Sequence, residues 1–154
     1  MRERILVPLD GSQVGESALP FVWGLMSKLA PEIDKEVVLL QAVTPARIML
    51  AEAAIPDLSA ETAITEQNVK IAREYLESVR KDWEGRGVAF STKVVLGEAA
   101  EQIVEMSEEL DVDLIAMSTH GRSGLGRLAF GSVTERVLHA KGRIPIVVIR
   151  ATET

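Results

Sequence analysis

Short apolar runs, each closed by turn residues and followed by a helical repeat, constrain this chain more than any other feature. Ile5 to Leu9 is the first and stops at Asp10-Gly11-Ser12; Val37 to Val43 and Asp113 to Met117 repeat the pattern, and Ile144 to Ile149 is a final apolar run. A run without polar alternation reads as a strand buried on both faces, the habit of parallel sheets packed between helices. Between the runs the period changes. Val14, Ala18, Val22, Leu25 and Leu29 recur at helical spacing as far as Pro31, with a kink expected at Pro20, which has no N–H to give. Ile64, Val69, Ala72, Leu76, Val79 and Trp83 mark a long amphipathic helix closed by Gly85. Val88, Phe90, Thr92, Val94 and Leu96 alternate instead, as a strand solvated on one face does, which places that strand at a sheet edge. Gly97-Glu98 opens a third helix with Ile103, Ser107 and Leu110 on one side, and another helix begins near Ser132. Pro145 suits a strand start or edge. The alternation of strand and helix predicts a parallel α/β sandwich.

Bulk properties narrow the function classes. With 154 residues, 47% apolar and 26% charged, the chain is expected to form one domain over 1–154 with a sizeable core. A net charge of −6 argues against non-specific nucleic-acid binding, which needs a basic footprint. No apolar run approaches a membrane span, and a charged strand stands where a signal peptide would need its apolar region, so no membrane association and a cytoplasmic location are the default expectations. The absence of cysteine removes disulfides, thiolate metal sites and thiol catalysis. No internal repeat or low-complexity tract is present.

In an open parallel sheet, ligands bind beyond the carboxyl ends of the strands where the strand order reverses. That rule points to the turns after the first and fourth strands. The first holds Asp10, which could bond ribose or adenine, help hold a cation, or simply form the turn. The second follows Met117 and runs Ser118-Thr-His120-Gly121-Arg122 through Arg127 to Gly131-Ser132-Val133-Thr134. Gly121 and Gly131 let backbone approach an anion, Arg122 and Arg127 offer forked donors, and the amides of Ser132, Val133 and Thr134 would open a helix whose N-terminus favours negative charge. An ordinary strand-to-helix loop would also use glycines for turning. His120 could donate to a phosphate or cap the turn; His139 reads as a residue near a helix C-terminus. Thr44 to Leu58 is long for a connection and could cover the crevice or run as a surface loop. Asp111 and Asp113 precede the fourth strand, at the wrong end of the sheet for a site there, and read as turn residues.

Familiar phosphate motifs fail on spacing. After Gly121 and Gly126 a P-loop would need Lys and then Ser or Thr, but Arg127 and Leu128 follow. Gly121, Gly124 and Gly126 run opposite to the dinucleotide fingerprint and follow the fourth strand, and a nucleophile elbow is broken at Leu125.

Ile5-Leu-Val-Pro-Leu-Asp-Gly-Ser12, Gly97-Glu-Ala-Ala-Glu-Gln-Ile103 and the segment Ser118 to Thr134 together resemble the universal stress protein family, and the resemblance covers essentially the whole chain. It implies an open five-stranded parallel sheet of strand order 3-2-1-4-5 with helices on both faces, a Rossmann-like arrangement of the adenine nucleotide alpha-hydrolase kind. ATP-binding members carry G-x-x-G, nine residues, then G-[ST]. By that pattern Gly121 and Gly131-Ser132 become phosphate and ribose contacts, with Val133 and Thr134 as helix-start contacts. Pro8 and Asp10 resemble the first-strand adenosine site, and Ala42 falls where second-strand backbone meets adenine. Ser118 departs from the pattern by standing at the first glycine, where its hydroxyl either perturbs the site slightly or becomes a phosphate donor.

The resemblance thus implies an ATP-binding stress-response regulator or adaptor, with Mg2+ accompanying the nucleotide, a homodimer formed through the C-terminal strand, and a protein partner yet to be identified. No general base or arginine-finger set is evident, so no efficient catalysis is expected beyond slow hydrolysis. The alternatives are a nucleotide-free interaction module of the same fold and a weak ATPase using His120 and Arg122.

Overall fold

The computed structural model describes residues 1–46, 58–119 and 130–151. Within them lie strands β1 (Arg2–Pro8), β2 (Asp34–Val43), β3 (Ala89–Leu96), β4 (Leu114–Thr119) and β5 (Ile146–Arg150). The helices are α1 (Gln13–Glu16), α2 (Ala18–Met26), α3 (Leu58–Trp83), α4 (Ala99–Glu109) and α5 (Ser132–His139). All strand pairings are parallel, and the order is β3-β2-β1-β4-β5. The fold class and strand order implied by the sequence are those observed.

The unalternated apolar runs are explained by two separate core layers. Ile5, Val7 and Leu9 of β1, with Val37 and Leu39 of β2 and Ala116 of β4, pack against Leu19, Val22 and Met26 of α2 and Leu76 and Val79 of α3. Their immediate neighbours Leu6, Val38, Leu40, Ile115 and Met117 face the other way, toward Ala100, Ile103 and Met106 of α4 and Val137 of α5. Successive residues point to opposite faces, so a strand covered on both sides buries apolar residues at adjacent positions.

Four local expectations are corrected. The first helix breaks at Ser17, upstream of Pro20, and α2 restarts so that Pro20 falls in its first turn. A continuous helix would need the missing Pro20 N–H for the Glu16 carbonyl, whereas first-turn residues need no such donor. Ile64 lies in α3 but off its buried stripe, at 39% exposure, because it stands roughly 80° around the helix from Ala72. The edge strand β3 has no bare face: Phe90 and Val94 pack on one layer and Val95 on the other. Ile144 and Pro145 precede β5 and lie outside it.

The amino ends of the strands are closed by polar contacts. The Arg4 N–H donates to Asp113 Oδ2 at 2.8 Å, and its guanidinium pairs with Glu36 and donates to the Leu110 carbonyl. Asp113 is therefore structural, as its position before β4 implied. Leu39 is fully buried in β2 between β1 and β3. Leu39→Ala should cost about 2–5 kcal/mol, read as a lowered urea midpoint with an unchanged slope.

Candidate functional site

At the carboxyl end of the sheet, β1 and β4 part. Their ladder runs only through Ile5↔Leu114 and Leu6↔Ile115, after which Pro8 pairs with Leu40 of β2 and Thr119 with Arg150 of β5. The Leu9 N–H donates to the Leu40 carbonyl at 2.8 Å. By strand alternation the Pro8 nitrogen faces β4, where it has no hydrogen to offer, so the β1–β4 ladder cannot continue there.

The parting strands open a cleft of about 260 Å³. Pro8, Asp10, Ala42, Met117, Ser118, Gly131, Ser132, Val133 and Thr134, all singled out from sequence, line it together. His120, Gly121, Arg122 and Arg127 lie outside the described residues, as does most of the segment Thr44 to Leu58. The sequence reading missed Ser12, Gly15, Ala99, Ile103 and Thr119, which also line the cleft. Ala99 and Ile103 were legible only as helix residues, since nothing local shows that α4 begins beside this crevice. A larger groove of about 380 Å³, between α3 and Leu96, is open and lies away from these convergent groups.

On the β1 side, Gly11 takes φ +87°, a conformation that glycine adopts without penalty. The turn folds back so that Asp10 Oδ1 accepts from the Ser12 N–H at 2.9 Å and the Ser12 hydroxyl at 2.6 Å. Among the described residues no hydrogen bond engages Oδ2. Ser12 also caps α1, its Oγ accepting from the Gly15 N–H at 3.2 Å.

Across the cleft, α5 begins differently from α1 and α4. Ser12 caps α1 and Glu98 caps α4 with side-chain acceptors, but the N-cap of α5 is Gly131, which has none. The first-turn amides of Ser132, Val133 and Thr134 therefore open beside the cleft without a side-chain cap, where the helix dipole favours an anion. A Cβ placed on Gly131 would meet nothing within 4 Å. Arg136 Nη1 donates to Glu98 Oε1 at 2.7 Å, tying α5 to the start of α4. Thr119 Oγ1 is buried without a partner among the described residues. No group of three or more potential metal-binding side chains occurs among the described residues.

A family model described as the universal stress protein family matches residues 1–150. The chain belongs to the universal stress protein family. It is 32% identical over 148 residues to universal stress protein MJ0531 of Methanocaldococcus jannaschii, covering 96% of this chain and 82% of that one. It is 31% identical over 160 residues to universal stress protein MJ0577 of the same organism, covering 97% and 96%. The solved structure of MJ0577 matches with a TM-score of 0.76 over 99% of this chain and 98% of that chain. An Archaeoglobus fulgidus universal stress protein solved in complex with dAMP shares the fold, at 17% identity and a TM-score of 0.65 over 96% and 97% of the two chains.

Tyr75 reaches the β1 turn from α3, its hydroxyl donating to Glu16 Oε2 at 3.2 Å. No local pattern announced this, because the partners lie 59 residues apart. Burial holds its phenol well above the ordinary value of 10.0, and the charge and hydrogen bond of Glu16 and the charge of Asp10 push the same way against an opposing backbone contact from Gly11. A raised folded-state value means that this contribution to stability is complete below pH 10 and lost as pH rises further. Tyr75 is the only tyrosine in the chain, so tyrosinate absorbance reports it directly. The native protein should show little tyrosinate at about pH 11, whereas the urea-unfolded chain should titrate near the free value of about 10. Equal curves would mean that the α3 contact is absent in solution.

Proposed function

We propose that this protein is an ATP-binding regulator or adaptor that holds the nucleotide in the cleft between the β1 turn and the start of α5. The observation that carries this reading is the side-chain-uncapped N-terminus of α5 opening on a cleft whose opposite wall presents an unengaged oxygen of Asp10. One end suits phosphate and the other suits the hydrogen-bond donors of a nucleoside. The occurrence of dAMP in a relative of the same fold supports an adenine nucleotide as the class of ligand. Mg2+ would arrive with the phosphates, since it usually keeps water ligands and binds through substrate oxygens. In this reading the Ser12 hydroxyl beside the cleft serves the turn and the α1 cap, donating to Asp10 Oδ1 while its oxygen accepts from the Gly15 N–H, and the protein has a binding and signalling role in the cytoplasm with at most slow hydrolysis.

Mass spectrometry of nucleotide released on denaturing the purified protein, followed by titration calorimetry with ATP and Mg2+, tests the reading. Gly131→Val should lower ATP affinity by more than about tenfold, ~1.4 kcal/mol, with an unchanged circular dichroism spectrum, because the added side chain enters open cleft space. A protein that retains no nucleotide and binds none at millimolar ATP would instead be an interaction module.

The regulatory reading includes a homodimer through β5, whose pairing among the described residues is with β4 alone. An open strand edge with Ile146, Val147, Val148 and Ile149 along it invites a second copy. Light scattering should give twice the chain mass for the wild type and the monomer mass for Val148→Lys; a wild-type monomer at all concentrations would remove the dimer.

A further inference from the structure

Ser118 stands where the family pattern has glycine, and its hydroxyl is already engaged. Oγ donates to the Gly15 carbonyl at 3.0 Å, joining residues 103 positions apart. From Gly15 a chain of short contacts leads to the ligand-facing carboxylate. The Gly15 N–H donates to Ser12 Oγ at 3.2 Å, and the Ser12 hydroxyl donates to Asp10 Oδ1 at 2.6 Å. The fit is close, because a Cβ on Gly15 would stand 3.2 Å from Asp10 Oδ1.

The geometry also explains why the turn needs such a fastening. α1 has four residues and none of them is fully buried, so little apolar packing holds it, and its other described tertiary hydrogen bond is the one Glu16 accepts from Tyr75. The break at Ser17 separates it from the buried face of α2. Ser118 shares a strand face with Ala116, which packs in the core layer on the side of α2. It is therefore aimed at the underside of the α1 turn and away from the layer that holds α5.

Resting on the nucleotide reading above, we infer that Ser118 is a positioning residue: its hydrogen bond to Gly15 fastens α1 to the end of β4 and, through Ser12, fixes Asp10 for the nucleoside end of the ligand. The hydroxyl proton is spent within the protein and is not a phosphate donor. Ser118 thus acts on the sugar and base end, although it sits in the segment whose pattern concerns phosphate. Its removal weakens adenosine and ATP by the same factor.

The test is calorimetric titration of adenosine and of ATP with Mg2+ into wild type, Ser118→Ala, Asp10→Ala and the double variant. Ser118→Ala should weaken both ligands equally, by about two- to tenfold, the range for loss of one neutral hydrogen bond. In the Asp10→Ala background the same change should cost nothing further, because the group being positioned is gone. A loss confined to ATP, no loss at all, or full additivity in the double variant would each overturn the inference. Amide exchange followed by NMR supplies a readout that needs no ligand: the Gly15 amide should exchange faster in Ser118→Ala while that of Ile115 is unchanged. Unaltered Gly15 protection overturns the fastening itself. Failure of the wild type to bind either ligand, with Gly15 exchange altered as expected, removes the nucleotide reading and with it the role assigned to Asp10.

Discussion

The carboxyl end of the molecule depends on where β1 stops bonding to β4. A central parallel strand needs partners on both sides, and β1 has them only through Leu6. Beyond that point Pro8 withholds the donor that would continue the ladder, and each strand follows its outer neighbour, β1 with β2 and β4 with β5. The separation creates a crevice between two strands that remain individually well supported. Next to its walls Val7, Leu39 and Ala116 are fully buried.

The two ends of the sheet show opposite treatments of polar groups. At the amino end Arg4, Glu36, Ser91 and Asp113 satisfy one another and the Leu110 carbonyl. At the carboxyl end, among the described residues, one oxygen of Asp10 and the hydroxyl of Thr119 have no partner and the first-turn amides of α5 have no side-chain cap. Buried or partly buried polar groups are normally paired, and among the described residues the groups with capacity left gather at this end of the sheet. The same contrast separates α1 and α4, which consume their own N-terminal donors through Ser12 and Glu98, from α5, which has only Gly131.

Family membership and local geometry carry different kinds of information. The match over residues 1–150 and the near-complete overlap with MJ0577 establish descent and fold. They do not describe the state of individual hydroxyls. Ser118 shows the difference: against the family pattern it is a substitution with two opposed readings, and only its contact with Gly15 shows that the hydroxyl is held inside the protein.

Much of the architecture was legible from residue order. The runs Ile5 to Leu9 and Val37 to Val43 lack polar alternation because both of their faces are covered, and that is a local pattern which burial imposes on sequence. Gly131-Ser132 and Asp10-Gly11-Ser12 were likewise readable, since turn and helix-start chemistry is written within a few residues. Other features depended on encounters between distant segments. The break at Ser17 reflects competition between the Pro20 ring and the burial of Ala18, Leu19 and Val22; Tyr75 meets Glu16 from another helix; Ser118 meets Gly15 across most of the chain. Sequence alone determined which segments are strands and helices and where the turns between them fall, because propensity and period act over short distances. Tertiary structure decided which donors and acceptors among the described residues are engaged, because a hydrogen bond is spent or spared only once its partner has been brought within 3 Å or so by the fold.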